Sequence, residues 1–383
     1  MAAAGRHDAV RRKAGKRMEA EVLTANERIG FDLRALYQSC GYLQYRVSKF
    51  EEYDLYVQNK KFLPGDQILT FTDVDGKLMA LKPDITLSIV KNTKDDGRTN
   101  KVYYTETVYR VPRNAYGFQE IMQTGLECIG KVDAYATGEV LMLAARSLEM
   151  ISPAYALDVS DIGVISGILA RERLDDEARA RILAAIGEKN LHGLGAACGE
   201  FSVSQESERL LRALVSVYGP LCPMLEEVEK LGLPEECAPA VGELREIGRL
   251  LGLYGIQNVN LDFSVVNDMD YYNGLIFKGF VDGIPSGVLS GGRYDNLMAR
   301  MGRSGEAIGF AVYLDQLERL LEPKPEYDVD TLVIYDDTTD PETLIRTVES
   351  LRTSVRSLRV QRDADSGLTC RQVVRLDQKA VNE

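Results

Sequence analysis

Apolar positions recur at helical spacing from about Ala25 onward, at Ile29, Leu33, Leu36 and Tyr37, and Gly41 stands where a left-handed glycine would close such a helix. Further along the period shortens. Residues 67–72 and 77–81 read as strands about Asp75-Gly76, the dipeptide that best predicts a tight hairpin. Residues 101–109 and 120–130 form a second strand pair, with 112–117 as their loop. Short strands in succession, with no helix between them, predict an antiparallel sheet instead of a parallel βαβ array. Helical spacing returns over 138–150, a strand is predicted over 155–159, and residues 171–253 are almost wholly helical in period, as an inserted subdomain would be. Strands follow at 259–265, 274–281 and 287–290, then a last helix over 311–321. Pro323 and Pro325 mark a linker, after which 329–335 (strand), 341–354 (helix) and one or two final strands make a small α/β appendage. The predicted organisation is an N-terminal tail (1–24), a main α+β domain (25–322) and a C-terminal segment (323–383).

Composition narrows the chemistry. A formal charge of −12 makes the body a poor generic binder of polyanions unless its cations are gathered in one place. The tail is basic, with Arg6, Arg11, Arg12, Lys13, Lys16 and Arg17, and reads as a solvated terminus in preference to a nucleic-acid arm. With only His7 and His192 in the chain, histidine-rich metal sites and His-based nucleophilic catalysis are excluded, and neither metal nor cofactor is expected. The 6 cysteines show no paired spacing and read as reduced structural thiols. No apolar run is long enough for a membrane span, so a soluble cytoplasmic protein is expected.

Polar residues inside strand-like segments cost free energy unless partnered, and they cluster in four places. In 82–86, Lys-Pro-Asp-Ile-Thr, Asp84 suits an N-terminal helix cap as well as a ligand role, with Thr86 beside it. Arg110 ends the first strand of the second pair. On the next strand Gln123, Gly125 and Glu127 share a face, either the polar floor of a pocket or an exposed edge. The third cluster is Asp270, Tyr271, Tyr272, Asn273; the fourth is Gly291, Gly292, Arg293, Tyr294, Asp295, in which the paired glycines serve a turn or a close approach to a ligand.

In this order and spacing the four segments resemble histidyl-tRNA synthetase and its non-synthetase relative, the regulatory subunit of ATP phosphoribosyltransferase, over most of residues 25–322. The resemblance implies a class II aminoacyl-tRNA synthetase-like antiparallel sheet flanked by helices. It implies a histidine pocket in which Asp84 and Thr86 hold the α-amino group, Gln123 and Glu127 contact the amino acid, and Tyr271, Tyr272, Gly291, Gly292 and Tyr294 complete the two histidine motifs. Arg110 and Arg293 would be residual nucleotide- or phosphate-type positions.

Departures from the synthetase pattern separate the two relatives. Where the synthetase carries an Arg three residues before Asp-Tyr-Tyr, this chain has Asn267; where its last motif carries Gly and a phosphate-holding Arg, this chain has Tyr313 and Gln316. Deleting one positioned cation commonly costs on the order of 10²–10³ in rate, so losing two should abolish adenylation. Arg319 is displaced along the chain from the missing Arg, and Ser48 stands where the family's dimer-forming motif has Pro. Residues 323–383 are short for an independent tRNA-reading domain. The expectation is therefore a non-catalytic regulatory subunit that binds L-histidine, a homodimer within a hetero-oligomer with the catalytic subunit, and no tRNA partner. An active histidyl-tRNA synthetase or another amino-acid-activating class II ligase is the alternative.

Overall fold

A computed structural model describes residues 23–60, 63, 67–94, 96–111, 117–266, 272–317, 326–362 and 367–376. The basic residues of the tail, Asn267, Tyr271, Arg319 and the linker prolines lie outside them. The chain divides into two units, Met1–Leu321 and Glu322–Glu383.

The strands of the first unit are β1 (Leu43–Gln44), β2 (Phe50–Glu52), β3 (Thr70–Thr72), β4 (Leu78–Leu81), β5 (Asn100–Arg110), β6 (Gln119–Gly130), β7 (Tyr155–Asp161), β8 (Tyr218–Pro220), β9 (Val259–Asp262), β10 (Leu275–Val281), β11 (Leu289–Arg293) and β12 (Glu306–Tyr313). Its helices are α1 (Ala25–Ser39), α2 (Tyr53–Gln58), α3 (Thr86–Asn92), α4 (Ala134–Ile151), α5 (Ile162–Leu169), α6 (Asp176–Gly187), α7 (Leu191–Glu200), α8 (Gln205–Val215), α9 (Leu221–Glu229), α10 (Ala238–Leu253) and α11 (Asp295–Arg300).

Helix α1 starts at a capping box in which Thr24 and Glu27 satisfy each other's backbone donors. It ends at Gly41, whose φ of 80° lets Tyr42 N donate to the Tyr37 carbonyl. The predicted hairpin is present: Gly76, at φ 81°, turns β3 into β4, and β2 joins them in a small antiparallel sheet. Among the described residues the main sheet has nine strands, in the order β1-β5-β6-β12-β11-β10-β7-β9-β8. From β5 to β7 every pairing is antiparallel, while β1 joins β5 and β9 joins β7 in parallel. The antiparallel sheet flanked by helices is thus the observed architecture.

Its two faces differ. One carries Tyr103, Leu126, Phe277 and Phe310 into the large core built with α1, α4 and the helices of the insertion. The other carries Tyr104, Val108 and Ile129 into a smaller core with α3 and α11. The second unit holds β13 (Val329–Ile334), α12 (Pro341–Arg352), β14 (Leu358–Gln361) and β15 (Cys370–Arg375), its strands parallel in the order β14-β13-β15.

Two expectations are corrected. The helix expected over 311–321 is not formed in its described part: residues 306–313 are the central strand β12, followed by a 3-10 turn over Leu314–Leu317. Ala307, Ile308, Gly309 and Phe310 are all buried, and a strand buried on both faces has the continuous apolar run that a buried helix also shows. The helical block also contains β8, whose Tyr218, Gly219 and Pro220 extend the sheet along β9.

Candidate functional site

Strand register decides which side chains meet. Directly paired residues of an antiparallel sheet point the same way, and each strand alternates. Glu127 pairs with Gly309 and Val102, Gly125 with Ala311 and Tyr104, Gln123 with Tyr313 and Glu106, and Gly309 with Gly292. These residues, with Arg110 further along β5, occupy one face, the one covered by α3 and α11.

At its centre Glu127 is 2% exposed. Thr86 Oγ1, at the first turn of α3, donates to Oε1 at 2.9 Å, and Tyr294 OH, at the start of α11, donates to Oε2 at 2.7 Å. No cation is among these partners. Burial pushes the carboxyl up to about 8, the two hydroxyls pulling the other way and the charge of Asp84 adding to the rise. A Cβ on Gly309 would lie 1.7 Å from Glu127 Oε2, so glycine at this position makes room for the carboxylate. The same is true one row along, where a Cβ on Gly125 would meet Tyr104 OH at 2.7 Å. Burial first, then the charges of Glu127 and Asp84, raise the Tyr104 hydroxyl well above its ordinary range.

Asp84 is buried and takes the capping role: its Oδ1 accepts from Leu87 N at 2.9 Å at the start of α3. Burial raises its carboxyl, against the pull of the Arg110 guanidinium. Arg110 Nε donates to the Pro83 carbonyl at 2.6 Å, fixing the segment that carries Asp84 and Thr86 over the sheet. Beside it the buried Lys82 pairs with Glu106 at 2.7 Å. Gln123 is 2% exposed, and its Nε2 has no hydrogen-bond partner. Tyr272 lies on Gly292, where a Cβ would meet its ring at 2.6 Å.

Of the residues singled out from sequence, Asp84, Thr86, Arg110, Gln123, Glu127, Tyr272, Gly292 and Tyr294 are therefore brought to one face. Gly291 and Arg293 are not. Gly291 alternates to the large core, where a Cβ would meet Phe310, Phe277 and the Gly309 carbonyl within 2.6 Å. Arg293 also alternates away, and three carboxylates hold it: Glu306 at 2.6 Å, Asp295 at 2.7 Å and, from α10 of the insertion, Glu243 at 3.6 Å. The room left by Gly292 is filled by Tyr272, so neither glycine is an open approach for a ligand. Sequence reasoning missed Tyr104 and the part played by Gly309; the glycine inside an apolar strand run was the available signal for the latter.

The positions that should distinguish an activating enzyme are described in part. Gln316 accepts from Ser286 Oγ at 2.9 Å through its amide oxygen, and Tyr313 shares the site face with Gln123.

The histidyl-tRNA synthetase family model matches residues 16–317. An ATP phosphoribosyltransferase regulatory subunit from Acetivibrio thermocellus is 27% identical over 346 residues, which is 88% of this chain and 82% of that protein. Among solved structures, an ATP phosphoribosyltransferase regulatory subunit/histidyl-tRNA synthetase from Bacillus halodurans C superposes with a TM-score of 0.73 at 23% identity, over 93% of this chain and 94% of that one. A chain of the ATP phosphoribosyl transferase (HisG:HisZ) complex from Thermotoga maritima aligns with a TM-score of 0.59 at 19% identity, over 76% of this chain and 97% of that one.

Proposed function

The chain belongs to the histidyl-tRNA synthetase family, and we propose that within it this chain is a regulatory subunit of ATP phosphoribosyltransferase, binding L-histidine and forming no aminoacyl adenylate. The relatives that carry the regulatory-subunit name over most of the chain support the assignment. The observation that carries the ligand is the buried Glu127, held by two neutral hydroxyls on the same face as a Gln123 amide nitrogen that has no acceptor. Such a floor has hydrogen-bonding capacity left over, and a free amino acid with donors and acceptors at both ends would use it. An imidazole offers one donor and one acceptor to Glu127 and the tyrosine hydroxyls, and the ligand carboxylate would accept from the Gln123 amide. An apolar isostere would leave these groups unpaired and be rejected.

The positions that would handle phosphate support the non-catalytic half of the proposal. Gln316 is neutral and engaged with Ser286, and Tyr313 brings a ring to the site face. Histidine would act by binding two states of a hetero-oligomer unequally, a homodimer of this chain forming its core, with a coupling of about 1–3 kcal/mol. An amino-acid-activating ligase is the second reading, favoured by Arg110 on the same face. Calorimetric titration of the purified chain with a panel of amino acids, alongside ATP–pyrophosphate exchange, tests both. Selective saturable binding of L-histidine without exchange is the expected result; robust exchange would replace this proposal by the ligase, and indifference to histidine would refute it.

A further inference from the structure

The β5–β6 hairpin has two ends. Arg110 pairs with Gln119 at one and Asn100 with Ile129 at the other, roughly 30 Å away at the usual rise of a strand. At this second end a cavity of about 180 Å³ opens between the residues following α3, the end of β6 and the loop that follows α11. Its lining includes Lys94, Arg98, Lys131 and Arg303, and no carboxylate among the described residues. In a chain of net charge −12, four cations line one small cavity, offset in part by the aspartates of the loop that carries Lys94 and Arg98.

Their partners are few. Lys94 and Lys131 form no ion pair with a described residue, and the pair between Arg98 and Asp96, at 3.9 Å and largely exposed, contributes little. Arg303 is fixed from behind: one terminal nitrogen donates to the Lys91 carbonyl at 2.7 Å, while its buried Nε has no acceptor. The walls are backbone. Gly130 has φ 130°, and a Cβ there would meet the Arg98 carbonyl at 2.6 Å; Gly305 packs directly on Gly130. Two loops are thus held close, with cationic side chains around the opening.

We propose that this cavity is a binding site for a small phosphate-bearing anion, an oligophosphate or the phosphate end of a metabolite, separate from the Glu127 pocket. A phosphoryl group offers several acceptor oxygens to Arg303 and Lys131 at once, and a guanidinium anchored at one nitrogen is pre-organised to receive them. The cavity is too small for a base-paired helix and has no aromatic side chain for stacking among its described lining residues, which disfavours nucleic acid. The site does not depend on histidine binding.

The test is titration of the full chain with inorganic triphosphate, followed by calorimetry at low and at physiological salt. We expect one saturable site with a dissociation constant at or below about 1 mM at low salt, weakened as salt is raised. Lys131→Gln and Arg303→Gln should each weaken it at least about tenfold, since each removes a charge-assisted contact. Lys94→Gln, at an exposed position, is the variant least able to disturb folding and should weaken binding in the same direction. Lys230→Gln, remote on the insertion, and Arg110→Ala should leave it unchanged. Absence of saturable binding, equal binding by all cavity variants, loss of binding only in Arg110→Ala, or an oligonucleotide or acidic peptide that binds while triphosphate does not compete, would each overturn the proposal.

Discussion

Glu127 and Arg293, charged groups on opposite faces of the central sheet, are handled in opposite ways. On one face Glu127 is buried with two hydroxyls as its partners, and the Gln123 amide nitrogen further along the same strand is unpartnered. On the other, Arg293 is held by Asp295, Glu306 and Glu243, and Asp295 and Glu306 are themselves used again by Ala307 N and Val132 N. The Glu127 site has unused capacity, whereas the Arg293 cluster satisfies its charge from within the protein. Both look alike in sequence, as polar residues inside strands, yet a ligand is needed only where protein partners run out. The charged cluster ties the helical insertion to the sheet, because Glu243 comes from α10 and Arg293 from β11.

The sharpest way to break this comparison is to remove the compensated cation. Arg293→Ala should destabilise the fold by about 2–3 kcal/mol, since a part-buried cation with three partly exposed carboxylate partners is removed, with loss of stability measured by chemical denaturation. Glu127→Gln should behave oppositely, changing stability little at neutral pH while weakening histidine by about 1–3 kcal/mol in calorimetry, because the amide oxygen can still accept from Thr86 or Tyr294 but the site loses an acceptor. If Arg293→Ala proves harmless, or Glu127→Gln unfolds the chain and leaves histidine affinity intact in what remains folded, the assignment of the two faces is reversed.

A third expectation concerns pH. Burial holds the folded Glu127 carboxyl at about 8, well above its ordinary 4.5, so the folded state keeps a proton that the unfolded chain releases. Stability from this group is fully present below about 4.5 and is lost as pH rises toward and through 8. Asp161, raised by burial to about 7 and capping α5 through Gly163 N, contributes in the same direction on the other face. Unfolding free energy should therefore fall across this range, and the fall should be shallower in both Glu127→Gln and Asp161→Asn. An unchanged slope in Glu127→Gln would mean the carboxylate is already ionised in the fold.

Much of this was legible in the sequence, for reasons that can be located. Gly41 and Asp75-Gly76 report backbone torsions directly, and the alternation of Gln123, Gly125 and Glu127 reports a shared face; in each case the information is local. Strand β12 was not legible, because burial on both faces erases the alternation that marks a strand. Nor was the fate of Gly291, Gly292 and Arg293. Whether a glycine admits a ligand, a tyrosine ring or a phenylalanine edge depends on strands far away in sequence, here Tyr272, Phe277 and Phe310. The neutralisation of Arg293 depends on a helix of the insertion, which no local pattern announces. The sequence alone admits Asp84 as either cap or ligand, and the geometry uses one of its oxygens for the cap.

The smallest effect tests the least conspicuous feature of the comparison, that neutral hydroxyls and no cation hold Glu127. Tyr294→Phe removes one donor and retains the ring, which is buried against α3 and α11. With Thr86 as the donor that remains, the ionised carboxylate loses a stabilising contact, so its proton affinity should rise further. At acid pH the cost should be about 1 kcal/mol or less, the net worth of a single hydrogen bond, because a protonated carboxyl can satisfy itself in other ways. Between the ordinary range of Glu127 and about 8 both folded carboxyls keep their proton and the cost should stay constant; it should grow only above about 8, where the parent ionises with its tyrosine donor and the variant must do so without it. The stability difference between Tyr294→Phe and the parent chain should therefore be small and constant from acid to neutral pH and widen only above about 8. A cation hidden among the carboxylate's partners would keep it ionised throughout, and the penalty would then show no widening across pH 8.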